Sequence, residues 1–155
     1  MGLDPYQFTQ HIIQPVLSFL DPEVPASAVA AQLLLGTALQ ESGLEWLVQA
    51  GGPANGIMQI EPATERSIWA DFLAFRPALR AKLQALLGGI EVPNPLISNL
   101  GYAVAVARLI YFRAPNPLPQ PGDLEGLGII YKAVYNTADG AGSVAQFVAN
   151  LRAAA

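Results

Sequence analysis

The absence of charge from two long stretches of the chain is the strongest constraint on its fold. Residues 24–40 and 92–107 carry no charged side chain, in a protein of 155 residues of which 52% are hydrophobic and 13% charged. A helix that is apolar on nearly all sides belongs in the middle of a domain. Each stretch contains proline with glutamine or asparagine and falls short of the roughly 20 apolar residues that a membrane span needs. We therefore predict buried core helices and no stable membrane insertion.

Capping residues and prolines divide the chain into about seven helices. Aspartate or serine is placed to cap the first, second, sixth and seventh of them, and proline opens the first, third, fourth and fifth. The predicted helices cover residues 5–20, 28–41, 62–72, 77–87, 95–113, 124–135 and 144–151. The pattern predicts an all-α protein that forms a single domain over residues 1–155.

Three segments are expected to depart from regular helix. Pro15 lies inside the first predicted helix and should kink or split it. Residues 56–60 are predicted to form a short strand or an extended segment. Four alternating prolines in residues 114–122 predict a stiff, extended loop.

Residue types that are scarce or absent exclude several classes of function. Because the chain has no cysteine, it has no disulfide, no cysteine zinc ligand and no thiol nucleophile. Its one histidine, His11, argues against a histidine metal site or a Ser-His-Asp triad. The net charge is −4 and the sequence has no basic stripe, so it predicts no surface that would bind the phosphate backbone of a nucleic acid. We expect no metal, no organic cofactor and no nucleic-acid partner.

Glu41 is the first candidate for chemistry, because it closes a predicted helix that is otherwise uncharged. A carboxyl at the end of an apolar helix tends to be desolvated, and desolvation raises its pKa. A carboxylic acid that stays protonated near neutral pH can serve as the general acid that a glycosidic oxygen needs. The alternative is that Glu41 is a solvated residue at the end of a core helix.

Three short motifs extend the case for Glu41. Glu41-Ser42 is followed by Gly-Ile-Met-Gln-Ile at residues 56–60 and, much later, by Tyr135-Asn136. In their order and spacing, these motifs resemble the soluble lytic transglycosylases and goose-type lysozymes of the lysozyme superfamily. The resemblance covers residues 29–151 and implies a lysozyme-like domain with a substrate groove. Residues 58–64 and the small size look more like phage- or prophage-encoded members.

The resemblance implies a role for each motif residue. Glu41 matches the catalytic acid and base, Ser42 a neighbouring hydroxyl that contacts substrate, and Tyr135 a residue that orients the carboxyl. Asn136 would line the groove. The run after Asn136 departs from the family pattern, which leaves the shape of the groove there open.

The middle motif would supply the other substrate contacts. By the same resemblance, Gly56 would let the backbone approach the sugar chain closely, because it has no side chain. Met58 would lie along the groove, and Gln59 would hydrogen-bond an N-acetyl sugar.

The resemblance implies cleavage of peptidoglycan between N-acetylmuramic acid and N-acetylglucosamine. A lytic transglycosylase would use Glu41 alone and leave a 1,6-anhydro end. A hydrolytic muramidase would need a second carboxylate, which Glu61, Glu65 or Asp139 would have to supply. A third reading is a non-catalytic module that binds glycan or fills a structural place in a phage tail.

The N-terminus, Met-Gly-Leu-Asp-Pro, lacks the charged and apolar regions of a secretory signal. The expected substrate lies outside the cytoplasmic membrane, so delivery would depend on a virion, a holin or another route. Location on the cell wall, and association with a virion, are therefore expectations from the resemblance.

Overall fold

The computed structural model describes residues 2–136 and 140–155, and these residues confirm the all-α prediction. Regular structure in them is helical, and pairing between extended segments is limited to isolated bridges of Asn55 with Val48 and with Ile60. No helix in this part of the chain is long and apolar enough to cross a membrane.

The helices follow the predicted boundaries closely. We label them α1, residues 5–20; α2, Ala28–Glu41; α3, residues 62–75; α4, Pro77–Leu87; α5, Pro95–Ser98; α6, Leu100–Arg113; α7, residues 124–136; and α8, Val144–Ala153. The four predicted polar caps each accept a backbone N–H at 2.8–3.1 Å, on Asp4, Ser27, Asp123 and Ser143.

Helix α1 accommodates Pro15 without splitting. An α-helical turn over Pro5–Phe8 leads into π-helical residues Thr9–Ile13 and then into an α-helix over Gln14–Leu20. Proline has no N–H to continue the ladder, and the wider π-helical turn comes just before it. The predicted kink or split at Pro15 is therefore replaced by a π-helical segment within a continuous helix.

The two helices that contain the charge-free stretches, α2 and α6, form the centre of the core, as predicted. In α6, every residue from Tyr102 to Tyr111 is buried. Helix α2 packs against α8 so closely that a Cβ on Gly36 would lie 2.3 Å from the ring of Phe147. This contact fixes the direction in which α2 ends, and therefore the position of Glu41.

The predicted helix over residues 95–113 is wrong in one respect, because it breaks at Asn99. The backbone of Asn99 is extended, with φ −128° and ψ 95°. Its side chain accepts the Tyr102 N–H at 2.9 Å and donates to the Leu86 carbonyl at 2.7 Å. A local cap thus competes successfully with helix continuation.

The segment at residues 56–60 is a tight turn, not the predicted strand or extended segment. The Gln59 N–H donates to the Gly56 carbonyl at 2.9 Å, while Asn55 and Ile60 exchange backbone hydrogen bonds across its base. Left-handed backbone at Gly56 (φ 77°) and Gln59 (φ 47°) closes the turn. Residues 115–120 carry no regular structure, in agreement with the predicted proline-rich loop.

Candidate active site

A cleft of about 760 Å³ opens at the end of α2. Its walls come from the end of α2, the loop before α3 with the first turn of α3, the outer end of α6, and α7 with the residues that follow it. The residues that line it include Gln40, Glu41, Gln49, Gln59, Glu61, Thr64, Ile110, Arg113, Tyr131, Tyr135, Asn136 and Gly142.

Glu41 lies in this cleft, half-buried, as the last residue of α2. Its Oε1 accepts a hydrogen bond from the hydroxyl of Tyr131 at 2.7 Å. Burial raises the pKa of Glu41, and the bond from Tyr131 opposes that rise only in part. The carboxyl can therefore hold a proton at a higher pH than a solvated glutamate, which is the property required of a general acid.

The predicted contact between Tyr135 and Glu41 is wrong, because Tyr131 occupies that place. The Tyr135 hydroxyl instead donates to the carbonyl of Met58 at 2.7 Å. The two tyrosines are one helical turn apart and share a face of α7. Tyr131 was missed because the motif ends at residues 135 and 136, although the four-residue spacing could have identified it.

Stacked aromatic rings hold both tyrosines in place. Tyr135 stacks on Tyr111 at 5.3 Å between ring centroids, and Tyr131 stacks on Phe147 at 4.9 Å. The Tyr111 hydroxyl lies 2.7 Å from the hydroxyl of Thr37 on α2. The wall behind Glu41 is therefore a packed set of rings from α6, α7 and α8, joined to α2 through Thr37.

Ser42 is buried and so is not placed for the predicted contact with substrate. Its side chain is only 3% exposed, and its Oγ lies 2.7 Å from the Ile57 carbonyl, to which it donates. The same oxygen accepts the backbone N–H of Leu44 at 3.2 Å. Ser42 therefore joins the end of α2 to the turn at residues 56–60.

Gly56 and Met58 also serve the turn and not the groove, so both predictions are wrong. A Cβ on Gly56 would lie 1.9 Å from the Leu96 carbonyl oxygen, so the close approach is to α5. The Met58 side chain is fully buried in the hydrophobic core, and its carbonyl is held by Tyr135. Sequence alone could not distinguish a core methionine from one in a groove.

Gln59 and Asn136 do line the cleft, as predicted. Gln59 has left-handed backbone and donates from Nε2 to the Gly56 carbonyl at 2.8 Å. For a non-glycine residue this conformation is strained, and such strain often marks a functional site. The Asn136 Oδ1 accepts a hydrogen bond from Lys132 at 2.7 Å, a contact that the sequence motifs did not predict.

The candidates for a second carboxylate are in different surroundings. Glu61 is exposed and lines the cleft with Glu41. Glu65 accepts a hydrogen bond from Tyr102 at 2.6 Å and borders a separate shallow groove with Trp69. Asp139 lies outside the described residues. Within those residues, no group of three or more histidine, aspartate or glutamate side chains could hold a metal ion.

Comparison of the chain with models of protein families, with curated proteins and with solved structures found no match. The relation to the lysozyme superfamily therefore remains the resemblance carried by the three sequence motifs. The geometry adds a half-buried glutamic acid in a cleft large enough for several sugar rings.

Proposed function

We propose that this protein cleaves the β-1,4 bond between N-acetylmuramic acid and N-acetylglucosamine in peptidoglycan, with Glu41 as the general acid. The observation that carries the proposal is the Glu41 carboxyl, which burial keeps protonated to higher pH in an open cleft. Gln59 and Asn136 supply amide groups in the same cleft, where the N-acetyl groups of the glycan need hydrogen-bond partners.

In the first step, protonated Glu41 transfers its proton to the glycosidic oxygen as the bond to C1 of muramic acid breaks. The 2-acetamido group of the substrate can assist at C1, as in the recognised exceptions to two-carboxylate catalysis. Tyr131 holds one oxygen of the carboxyl at 2.7 Å, so the other oxygen is left to face the substrate. The N-acetylglucosamine end departs with a free hydroxyl.

In the second step, the Glu41 carboxylate removes the proton from the C6 hydroxyl of the same muramic acid. The C6 oxygen closes on C1 and forms a 1,6-anhydro ring, and Glu41 is again protonated. No water is consumed, so one carboxyl group serves both steps. The two roles require a carboxyl whose pKa lies near the working pH, in line with the burial of Glu41.

Hydrolysis is the alternative that one observation favours, because Glu61 lines the cleft. An inverting hydrolase would use a second carboxylate about 6.5–9.5 Å from the first to activate water. Glu61 is exposed, however, and the intramolecular reaction needs no second carboxylate. We therefore favour the intramolecular reaction.

Mass spectrometry of the products released from purified cell wall separates these possibilities. A transglycosylase should release muropeptides lighter by one water than lysozyme products, and they should resist borohydride reduction. Reducing ends whose release is abolished by Glu61→Gln would establish hydrolysis. Glycan binding without any released product would show that the protein is a non-catalytic binding module.

The binding contribution of the cleft can be tested separately from the chemistry. Gln59→Ala should weaken binding of a chito-oligosaccharide by roughly 0.5–1.5 kcal/mol, because one hydrogen bond is lost. Asn136→Ala should weaken it by a similar amount. Titration calorimetry in the Glu41→Gln background avoids turnover, and parental affinity in both variants would place the glycan elsewhere.

The proposed substrate sets the place of action at the cell wall, outside the cytoplasmic membrane. Peptidoglycan strands are the proposed partner, and a virion or a holin would provide delivery. The net charge of −4 gives no attraction to an anionic wall, so affinity must come from the cleft or from a larger assembly.

A further inference from the structure

Arg113 is the one cationic side chain among the described residues that line the cleft. The same lining contains the carboxyl groups of Glu41 and Glu61. Lys132 donates to the lining residue Asn136 at 2.7 Å but is not itself part of the lining. The two reaction steps proposed above do not use an arginine, so the presence of one in the cleft needs a separate explanation.

A hydrogen bond to α3 holds the Arg113 side chain at one point. Arg113 ends α6, and its Nη1 donates to the Oγ of Ser67 on α3 at 3.0 Å. The Ser67 hydroxyl donates its own proton to the Asp71 Oδ2 at 3.0 Å, so its oxygen is left to accept from the arginine. This bond ties the guanidinium to a second helix and restricts the directions in which its other N–H groups point.

The remaining donors of Arg113 are available to an external anion. Within residues 2–136 and 140–155, an ion pair joins Lys82 to Glu23, and no carboxylate pairs with Arg113. A guanidinium has five N–H donors in a planar fork that matches the geometry of a carboxylate. Because the bond to Ser67 involves only Nη1, the guanidinium can still bind a carboxylate through two parallel hydrogen bonds.

A cation at the C-terminal end of a helix also has a structural use, which must be distinguished from binding. The partial negative charge at the end of α6 favours an arginine there. Arg152 occupies the corresponding place in the last turn of α8, where it is exposed and lies outside the cleft lining. If Arg113 acted only on its helix, the two arginines would be equivalent, so Arg152 is a matched control.

We propose that Arg113 is a specificity-determining residue that binds a carboxylate of the substrate and so favours glycans of muramic acid over neutral polymers of N-acetylglucosamine. The inference rests on the proposed function, whose substrate is anionic. Muramic acid differs from N-acetylglucosamine by a lactyl ether, which bears a free carboxylate or a peptide with carboxylates of its own. The net charge of −4 opposes such a substrate, and one oriented arginine in the cleft supplies a local attraction that the whole molecule lacks.

The test is titration calorimetry in the Glu41→Gln background with three glycans of equal length, each of alternating muramic acid and N-acetylglucosamine. The first carries stem peptides, the second has free lactyl carboxylates, and the third has these carboxylates converted to methylamides. Arg113→Gln should weaken binding of a carboxylate-bearing glycan about five-fold, because a charge-assisted pair at an exposed site is lost. Binding of the methylamide should not change. The glycan that is affected identifies the lactyl group or the peptide as the source of the carboxylate.

Three further measurements separate binding from structure. Arg113→Lys keeps the charge without the planar fork, so it should recover only part of the affinity. Ser67→Ala should weaken binding by a smaller factor, because the guanidinium stays but is no longer tied to α3. Arg152→Gln should bind all three glycans as its parent does. With Glu41 intact, Arg113→Gln should raise KM for soluble peptidoglycan and retain kcat, since burial and the Tyr131 bond, not Arg113, shift the pKa of Glu41.

The outcomes against this inference differ from those against the proposed function. Unchanged binding of both carboxylate-bearing glycans by Arg113→Gln would overturn the inference, and so would an equal loss for all three glycans. A loss in Arg152→Gln as large as that in Arg113→Gln would also overturn it. In each of these cases cleavage of cell wall by the parent leaves the proposed function standing. If the Glu41→Gln protein binds none of the glycans and the parent releases no product, the proposed function itself fails.

Discussion

Two glutamates in this protein accept nearly identical hydrogen bonds from tyrosines, yet they lie in opposite electrostatic settings. The Tyr131 hydroxyl lies 2.7 Å from Glu41, and the Tyr102 hydroxyl lies 2.6 Å from Glu65. Glu41 ends α2, whereas Glu65 lies in the first turn of α3. The partial negative charge at a helix C-terminus disfavours a carboxylate, and the partial positive charge at an N-terminus favours it.

The surroundings strengthen the contrast. The last turn of α2 contains no basic residue, and Glu41 is half-buried in the large cleft. Glu65 borders a shallow groove with two arginines, Arg66 and Arg80. The comparison teaches that a tyrosine bond does not by itself make a carboxyl into a general acid. At Glu41 it is burial that raises the pKa, against the opposing effect of the Tyr131 bond.

The largest expected difference between the two sites is catalytic. Glu41→Gln should lower the rate of cell-wall cleavage by at least the 10²–10⁴-fold that general acid–base catalysis typically contributes, because one group serves both steps. Glu65→Gln should leave the rate within a few-fold of the parent. Turbidity loss of a purified cell-wall suspension measures both. Half the parental rate in Glu41→Gln would remove that residue from the reaction.

The tyrosines should differ in the same direction, with a smaller effect. Tyr131→Phe frees the Glu41 carboxyl to rotate away from the bond it must protonate, and a misplaced catalytic group can cost up to about 10²-fold in rate. We expect a loss of roughly ten-fold or more in kcat, with binding of chito-oligosaccharide retained. Tyr102→Phe should not change kcat. Equal losses in the two variants would show that both act through stability alone.

The sequence predicted the helices well because the signals for them are local. The residue that caps α2 and the charge-free run behind it place Glu41 correctly, since side-chain caps and apolar periodicity act within a few residues. The site was predicted less completely. Glu41, Gln59 and Asn136 line the cleft, but Tyr131 replaces Tyr135 beside the carboxyl.

The missed contacts depend on packing between distant parts of the chain. Ser42 donates to the Ile57 carbonyl and Tyr135 to that of Met58. A side chain expected to contact substrate and one expected to orient Glu41 therefore hold the turn instead. Gly56 is needed because a Cβ there would lie 1.9 Å from the Leu96 carbonyl oxygen of α5, and no feature near residue 56 indicates that close approach. The motifs thus predicted which parts of the chain meet at the cleft better than they predicted the role of each residue there.

For the free energy of unfolding, we expect the larger loss at Tyr102, whereas for kcat we expect it at Tyr131. The Tyr102 hydroxyl both donates to Glu65 and accepts the indole N–H of Trp69 at 2.8 Å. Tyr102→Phe leaves a half-buried N–H without its acceptor, and we expect the free energy of unfolding to fall by about 1–3 kcal/mol. Tyr131→Phe should cost less, because the hydroxyl it removes serves a carboxyl that burial already disfavours in its charged form. Urea unfolding at neutral pH measures both variants, and a larger loss in Tyr131→Phe would contradict the comparison.

The smallest expected effect is a gain in stability when Glu41 is replaced by glutamine. Because the pKa of Glu41 is raised in the folded state, the folded protein binds more protons than the unfolded chain between the unfolded value of 4.5 and the folded value. Unfolding free energy therefore falls as pH rises through that window, and the full penalty remains above it. Glu41→Gln retains an acceptor for Tyr131 without the charge, so it should stabilise the protein at pH 7 and lose that advantage as the pH falls below about 4.5. Glu65→Gln should show no such gain, because its carboxylate lies at a favourable helix end. Urea unfolding of both variants and the parent at pH 7 and below about pH 4.5 measures the sign of the change in unfolding free energy. An effect of Glu41→Gln that does not depend on pH would show that the carboxyl is not desolvated.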